Sequence, residues 1–174
     1  MNEWIPIPGT AKARLVEVAL VAFGQHGYAD VAVGDLAEQA QVTVGALYHH
    51  FGSKGGLYAL VRTEVERRIR DRMEGAEAVP SATLGIVLGV GLDAARRQQV
   101  VRLLSEPSPI SREDVLAQWI GVRANRRQPA LGPLVVGAWQ AALAELARDA
   151  DLAAVRSALA RLVGGIDVGP PEHS

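Results

Sequence analysis

The chain has no cysteine, few aromatic rings, almost no net charge and no long uninterrupted apolar run. Each absence excludes something. Without cysteine there can be no disulfide and no thiolate metal site, and a reducing cytoplasm is the expected setting. No apolar stretch reaches about 18 residues, so no membrane-spanning helix is expected. The opening MNEWIPIPG has neither a basic start nor an apolar core, so it does not read as a secretory signal. A formal net charge of -1 argues against a generic polyanion binder, although a local basic patch suffices to hold nucleic acid. Divided after Gly75, neither part of the chain is a basic tail.

What is present is alanine, leucine and valine, within a hydrophobic share of 49%. Over 174 residues that is enough to bury a core without covalent staples, and it favours helices packed closely through small side chains. Helical periodicity runs nearly throughout, with no strand alternation and no repeat, so the fold is expected to be all-α. Thr10 can cap a first helix, on which Leu15, Val18, Ala19, Ala22 and Phe23 share a face and which stops at Gly27. A short helix is expected near Val33 to Ala40, and a second short one begins at Thr43. Ser53 can cap a longer helix through Leu57, Leu60, Val61, Val65 and Ile69.

EGAEAVPS, residues 74–81, loses the period and reads as a junction between two units. Periodicity resumes from Ala82 to Leu104 and ends at Pro107 and Pro109. SRED then opens the next helix as a capping box, with Ser111 at the cap and Asp114 three positions on. A further break is expected near Pro129 and Pro133, followed by helices at about 133–148 and 152–163, closed by Gly164 and Gly165.

Residues 42–58, VTVGALYHHFGSKGGLY, gather glycines, hydroxyls, imidazoles and a lysine in one place. Two short helices joined by a tight turn make a helix-turn-helix, whose second helix enters the DNA major groove. Gly45 and Ala46 let the front of that helix approach the duplex. Thr43 can cap it and also reach a phosphate, and helix N-termini attract phosphates. Lys54, at the start of the next helix, suits the same backbone. Leu47 and Phe51 are expected to pack inward.

These residues resemble the DNA-binding domain of the TetR (tetracycline-repressor-like) family. The pattern appears here as Ala22-Phe23, Gly27-Tyr28, Leu36-Ala37, then Val42-Thr43-Val44-Gly45-Ala46-Leu47-Tyr48-His49-His50-Phe51-Gly52-Ser53-Lys54, and Leu57. The resemblance implies a homodimer on a palindromic double-stranded DNA operator, with Thr43, Tyr48 and Lys54 mostly on phosphates. It puts Val44, Gly45, Ala46 and His49 at or near base edges, where sequence is read. Two positions depart from the family. Val31-Ala32 stands where a threonine pair is usual, so the hydroxyl that caps the second helix is missing, and Gly55 follows the lysine where an acidic residue is usual.

Other readings compete. Phe51 is a core aromatic, His50 stays open between a solvated side chain and a DNA contact, and His26 reads as a helix-end cation. GVGLDA, residues 89–94, matches a G-x-G-x-x-A dinucleotide fingerprint. Leu84, Leu88 and Leu92 recur every four residues, though, as do Val87, Gly91 and Ala95, which fits one helix crossing others through glycine. No nucleophile, base and acid assemble into a set, His49-His50 is not a metal spacing, and His173 falls in the tail, so neither an enzyme nor a cofactor is expected. Arg123, Arg126 and Arg127 read as a solvated helix end before an anion site.

The expected organisation is an arm at 1–9, a helix-turn-helix domain with its connecting helix at 10–75, a helical ligand-binding and dimerisation domain at 76–168, and a tail at 169–174. Apolar stripes along the last two helices suggest a four-helix dimer interface: Leu134, Val135, Ala138, Ala142, Leu143 and Leu146, then Leu152, Val155, Leu159, Leu162 and Ile166. Leu88, Leu92, Leu116, Trp119, Ile120 and Trp139 are the candidate lining of a pocket for a small apolar effector. The expected function is a cytoplasmic, ligand-responsive repressor. The alternatives are a DNA-binding module without small-molecule control and an all-α interaction protein.

Overall fold

The computed structural model describes residues 9–125 and 130–164. Those residues form nine α-helices and no strand. The helices are α1 (Ala11–His26), α2 (Val33–Gln39), α3 (Val44–Phe51), α4 (Lys54–Glu77), α5 (Leu84–Arg97), α6 (Val101–Ser105), α7 (Val115–Asn125), α8 (Leu131–Ala147) and α9 (Leu152–Val163). The 1–9 arm other than Gly9, together with Arg126, Arg127, Pro129, Gly165, Ile166 and the 169–174 tail with His173, lies outside the described residues.

Short polar side chains set where the helices begin. Thr10, Thr43, Ser53, Thr83 and Asp151 each precede a helix and accept a hydrogen bond from the backbone N–H three residues on. Each cap satisfies a donor that the helix itself leaves unpaired. Glycine stops two of the helices of the head. Gly27 and Gly52 follow α1 and α3 with φ of 76° and 72°, a region that costs an L side chain energy. Helix α4 packs against α1 and α3 on the one hand and against α5 and α7 on the other, so it joins a head, α1 to α3, to a second unit, α5 to α9. Around it, α5 packs on α9, and α8 packs on α6, α7 and α9. One apolar core runs from Leu15 through Phe23, Leu47, Tyr58, Leu88 and Trp139 to Val163.

Three helix boundaries differ from the periodicity. Helix α4 runs through Gly75 to Glu77 because its end is held from outside. The Trp119 indole Nε1–H donates to Glu74 at 2.7 Å, and Arg123 Nε donates to Glu77 at 2.7 Å. The stretch from Ala82 to Leu104 is two helices, not one. Gln99 sits at φ 57°, and Val100 N–H returns to the Ala95 carbonyl at 3.0 Å, which closes α5 in a left-handed turn. The Gln99 carbonyl abuts Gly24 of α1, where a Cβ would leave no room. The third difference is at α7, which starts later than the SRED pattern implies. Asp114, not Ser111, accepts from Ala117 N–H at 2.8 Å. Arg112 is drawn away into a buried ion pair, and this keeps residues 111–114 out of the helix.

That ion pair is part of the one charged cluster inside the core. Arg62 and Glu66 are 5% and 1% exposed, and they are the only buried charged residues among those described. Arg62 Nε donates to Glu66 Oε1 at 3.0 Å, and its Nη1 donates to the Tyr58 hydroxyl at 2.9 Å and to the Glu106 carbonyl at 2.6 Å. Arg112 grips the same carboxylate with two N–H groups, at 2.8 and 2.6 Å. Glu66 also accepts Val115 N–H at 3.2 Å, at the first turn of α7. Burial works against the Arg62 charge, but Tyr58 and Glu66 outweigh it and hold the guanidinium above its ordinary value. Glu66→Ala would leave the buried Arg62 and the half-buried Arg112 guanidiniums without their shared carboxylate. It is expected to lower the unfolding free energy by about 3–5 kcal/mol in urea titration. Glu145→Ala, which breaks an exposed pair with Arg148, should cost less than about 1 kcal/mol.

Candidate nucleic-acid interface

The turn between α2 and α3 is built from backbone closures. Gln41 takes φ 53°, and Val42 N–H donates to the Ala37 carbonyl at 2.9 Å. Arg14 of α1 completes the end of α2 by donating Nε to the Ala40 carbonyl at 2.8 Å. The Thr43 hydroxyl then accepts Ala46 N–H at 3.1 Å and starts α3. Leu47 is fully buried and Phe51 is half-buried against the core, so these two side chains fix the roll of the helix. Turned the other way are Thr43, Val44, Gly45, Tyr48, His49 and His50, all exposed, with Ala46 half-buried.

Val44 and Tyr48 are 41% and 49% exposed, which is unusual for apolar and aromatic side chains on a helix eight residues long. Gly45 opens onto free space, since a Cβ there would meet nothing nearer than the Thr43 hydroxyl at 3.7 Å. The two imidazoles stand edge to face, 5.2 Å apart. Lys54 begins α4 beside them. Its ammonium rests over the Tyr28 ring, 4.2 Å from the centroid, so its position is set by a cation–π contact. The surface is therefore a short helix with a small, capped front, one exposed phenol, two imidazoles and a cation at its edge. Among the described residues no group of histidines and carboxylates is placed to hold a metal ion.

Residues 15–61 match the model of bacterial regulatory proteins of the tetR family. The probable acrEF/envCD operon repressor of Escherichia coli K12 is 32% identical over 101 residues, which cover 53% of this chain and 46% of the relative. The HTH-type transcriptional repressor AcnR of Corynebacterium glutamicum is 31% identical over 116 residues, covering 65% and 58%. A TetR-family transcriptional regulator from Pectobacterium atrosepticum superposes with a TM-score of 0.69 at 25% identity, covering 92% of this chain and 95% of that one. Residues 15–61 are thus similar to the DNA-binding segment of tetR-family regulators. The chain spans about half the length of the curated relatives it matches.

Within the matched segment, the departure at Val31-Ala32 has a visible effect. Ala32 stands at the start of α2 without a side-chain cap, while Val31 is buried in the core. Asp35 in the first turn leaves a negative charge near the uncapped end. GVGLDA lies inside α5, so its glycines serve packing. A Cβ on Gly91 would press on Trp139 and Met73, and one on Gly85 on Ala160 of α9.

The six residues expected to line an effector pocket are all buried. Trp119 lies under the Arg123 guanidinium at 3.6 Å and is tied to Glu74, so it faces α4. Leu116 and Trp139 do share a cavity, of about 10 Å³, which is room for a single water. Leu88, Leu92 and Ile120 are packed in the core and do not line it.

The stripe expected at a dimer interface divides in two. Val135, Ala142, Leu146 and Leu159 are buried in the chain's own core, because α8 and α9 pack on α6, α7 and α5 as well as on each other. Ala138, Leu152 and Val155 are half-buried, and Leu134 and Leu162 are 67% and 71% exposed. Between α8 and α9 runs an apolar groove of about 240 Å³, lined by Ala138, Ala141, Val155, Ala158 and Leu162 and floored by Ala142 and Leu159.

Two supports of this interface, Arg14 at the turn and Tyr28 beneath Lys54, carry no signal of that role in the sequence. Arg14 is one arginine on a helix face, and nothing in its local pattern points to a carbonyl 26 residues away. For Thr43 the chemistry is local and testable. Thr43→Ala should destabilise the protein by about 1 kcal/mol in chemical denaturation, whereas Thr43→Ser, which keeps the cap, should leave it nearly unchanged.

Proposed function

We propose that this chain is a transcriptional repressor that binds a palindromic operator as a homodimer, in the cytoplasm. The exposed, capped face of α3 carries this reading, since its small front and exposed polar and aromatic side chains suit entry into a major groove. Thr43, Tyr48 and Lys54 would contact phosphates, and Val44, Gly45, Ala46 and His49 would stand at base edges. The names of the curated relatives support repression. The α8–α9 groove with exposed Leu134 and Leu162 supports pairing of two chains about a two-fold axis. That would set the two α3 helices about 34–36 Å apart, one turn of DNA.

Control by a small apolar effector rests on the family resemblance alone. The geometry limits it, because an effector would have to part the helices around Leu116 and Trp139, where the present space holds one water. That filled core favours a second reading, in which DNA binding proceeds without small-molecule control. A ligand that weakens an established complex with DNA would exclude this second reading.

The test of the main reading is selection of duplexes from a random pool, followed by fluorescence anisotropy at several salt concentrations. Saturation at two chains per palindrome, resistance to competitor DNA and weakening with salt are the expected results; recovery of no preferred sequence would overturn it. On such a duplex, Lys54→Ala should weaken binding to all sequences alike and lower the salt slope by roughly one per subunit. His49→Ala should instead reorder the preferred sequences. Leu162→Glu places a charge at the rim of the apolar groove. Sedimentation should then show monomer at concentrations where the parent is dimeric, with a matching loss of operator affinity.

A further inference from the structure

We propose that Glu106 and Ile110 are positioning residues for DNA binding, through a strap, residues 106–114, that sets where Lys54 and the front of α4 stand. The inference rests on the DNA-binding reading above and adds to it residues that never touch DNA. The strap comes from the second unit and reaches the head at two points, Gly27-Tyr28 and Gly55. At the first, the Glu106 carboxylate lies over Gly27, in the space that a Cβ there would need. It accepts Tyr28 N–H at 3.3 Å and is itself held by Arg102 Nε at 3.0 Å. Tyr28, fixed through its backbone and set edge-on to Tyr58 at 5.0 Å, offers the ring on which the Lys54 ammonium rests.

At the second point, the Ile110 Cγ2 methyl lies 3.2 Å from where a Gly55 Cβ would be, and Gly55 is buried. Glycine at position 55 is therefore the residue that admits the strap; a longer side chain there would displace Ile110. The strap is anchored at both ends, by Arg62 on the Glu106 carbonyl and by Arg112 on Glu66. In between, the Ser108 hydroxyl donates to the Ile110 carbonyl at 2.8 Å. A segment fastened in this way holds Tyr28 and the first turn of α4 at a fixed separation. It thereby holds the Lys54 ammonium, which is otherwise on a flexible four-carbon stem, near one position.

The experiment measures affinity for the selected palindromic duplex across a salt series. It compares the full-length parent, Lys54→Ala, Glu106→Ala, the double variant and Glu106→Gln, each checked for helical content and dimer formation. Glu106→Ala is expected to weaken binding roughly tenfold and to flatten the salt slope as Lys54→Ala does. The double variant is expected to bind little worse than Lys54→Ala alone, the signature of two residues acting through one contact. Glu106→Gln keeps an acceptor for Tyr28 N–H and should recover most of the affinity. Additive losses, or a Glu106→Ala protein that binds like the parent, would overturn the proposal while leaving the DNA-binding reading intact. A parent that binds no duplex would overturn that reading instead, and the proposal with it. If Glu106→Ala loses helical content, the same cycle is run with the half-buried Ile110→Ala, and the same two results decide.

Discussion

A single carboxylate between two guanidiniums, Glu66 between Arg62 and Arg112, is the constraint on which the arrangement of the two units depends. A charge inside a protein is tolerated only when its partners replace the water it has lost. Arg62 and Glu66 are buried on the condition that their partners are there, and the half-buried Arg112 comes from a separate part of the chain. Arg62 and Glu66 belong to α4, while Arg112 belongs to the segment before α7, and Val115 N–H brings the start of α7 to the same carboxylate. Apolar packing would hold these elements together but would tolerate some sliding. A bidentate pair at these distances fixes the register, because its hydrogen bonds weaken steeply with misalignment.

Small residues do complementary work elsewhere. Glycines in α5 let α9 and the Trp139 ring come close, so the second unit is dense, with little enclosed space beside Trp139. Such density suits a rigid platform for the head. It also means that any molecule entering there must first separate helices, at the cost of the contacts those glycines make possible.

Much of this could be read in the sequence, for identifiable reasons. The caps at Thr10, Thr43 and Ser53 are local chemistry, settled within four residues, and so is the glycine stop at Gly27. The short capped helix α3 with its exposed face was legible because its pattern is dense and contiguous. What could not be read depends on partners far along the chain. The extra turn of α4 is held by Trp119 and Arg123, the late start of α7 follows from the pull of Glu66 on Arg112, and Gly55 makes sense only beside Ile110. The split between α5 and α6 was hidden because glutamine, not glycine, occupies the left-handed turn. The apolar stripes of α8 and α9 showed which residues avoid water, but periodicity alone does not say whether a neighbouring helix or another molecule covers them.

The left-handed residues carry a consequence of their own. Gln41, Gln99 and Asp149 all sit at positive φ at the ends of helices, where glycine would be free of the steric cost of roughly 1 kcal/mol or more per residue. One of them, Gln41, is the hinge between the two short helices of the head. A side chain under mild steric pressure narrows the conformations open to that turn, whereas glycine would widen them in the unfolded chain and in the native one alike. At Gln41 a local steric cost is thus exchanged for a narrower range of angles between α2 and α3.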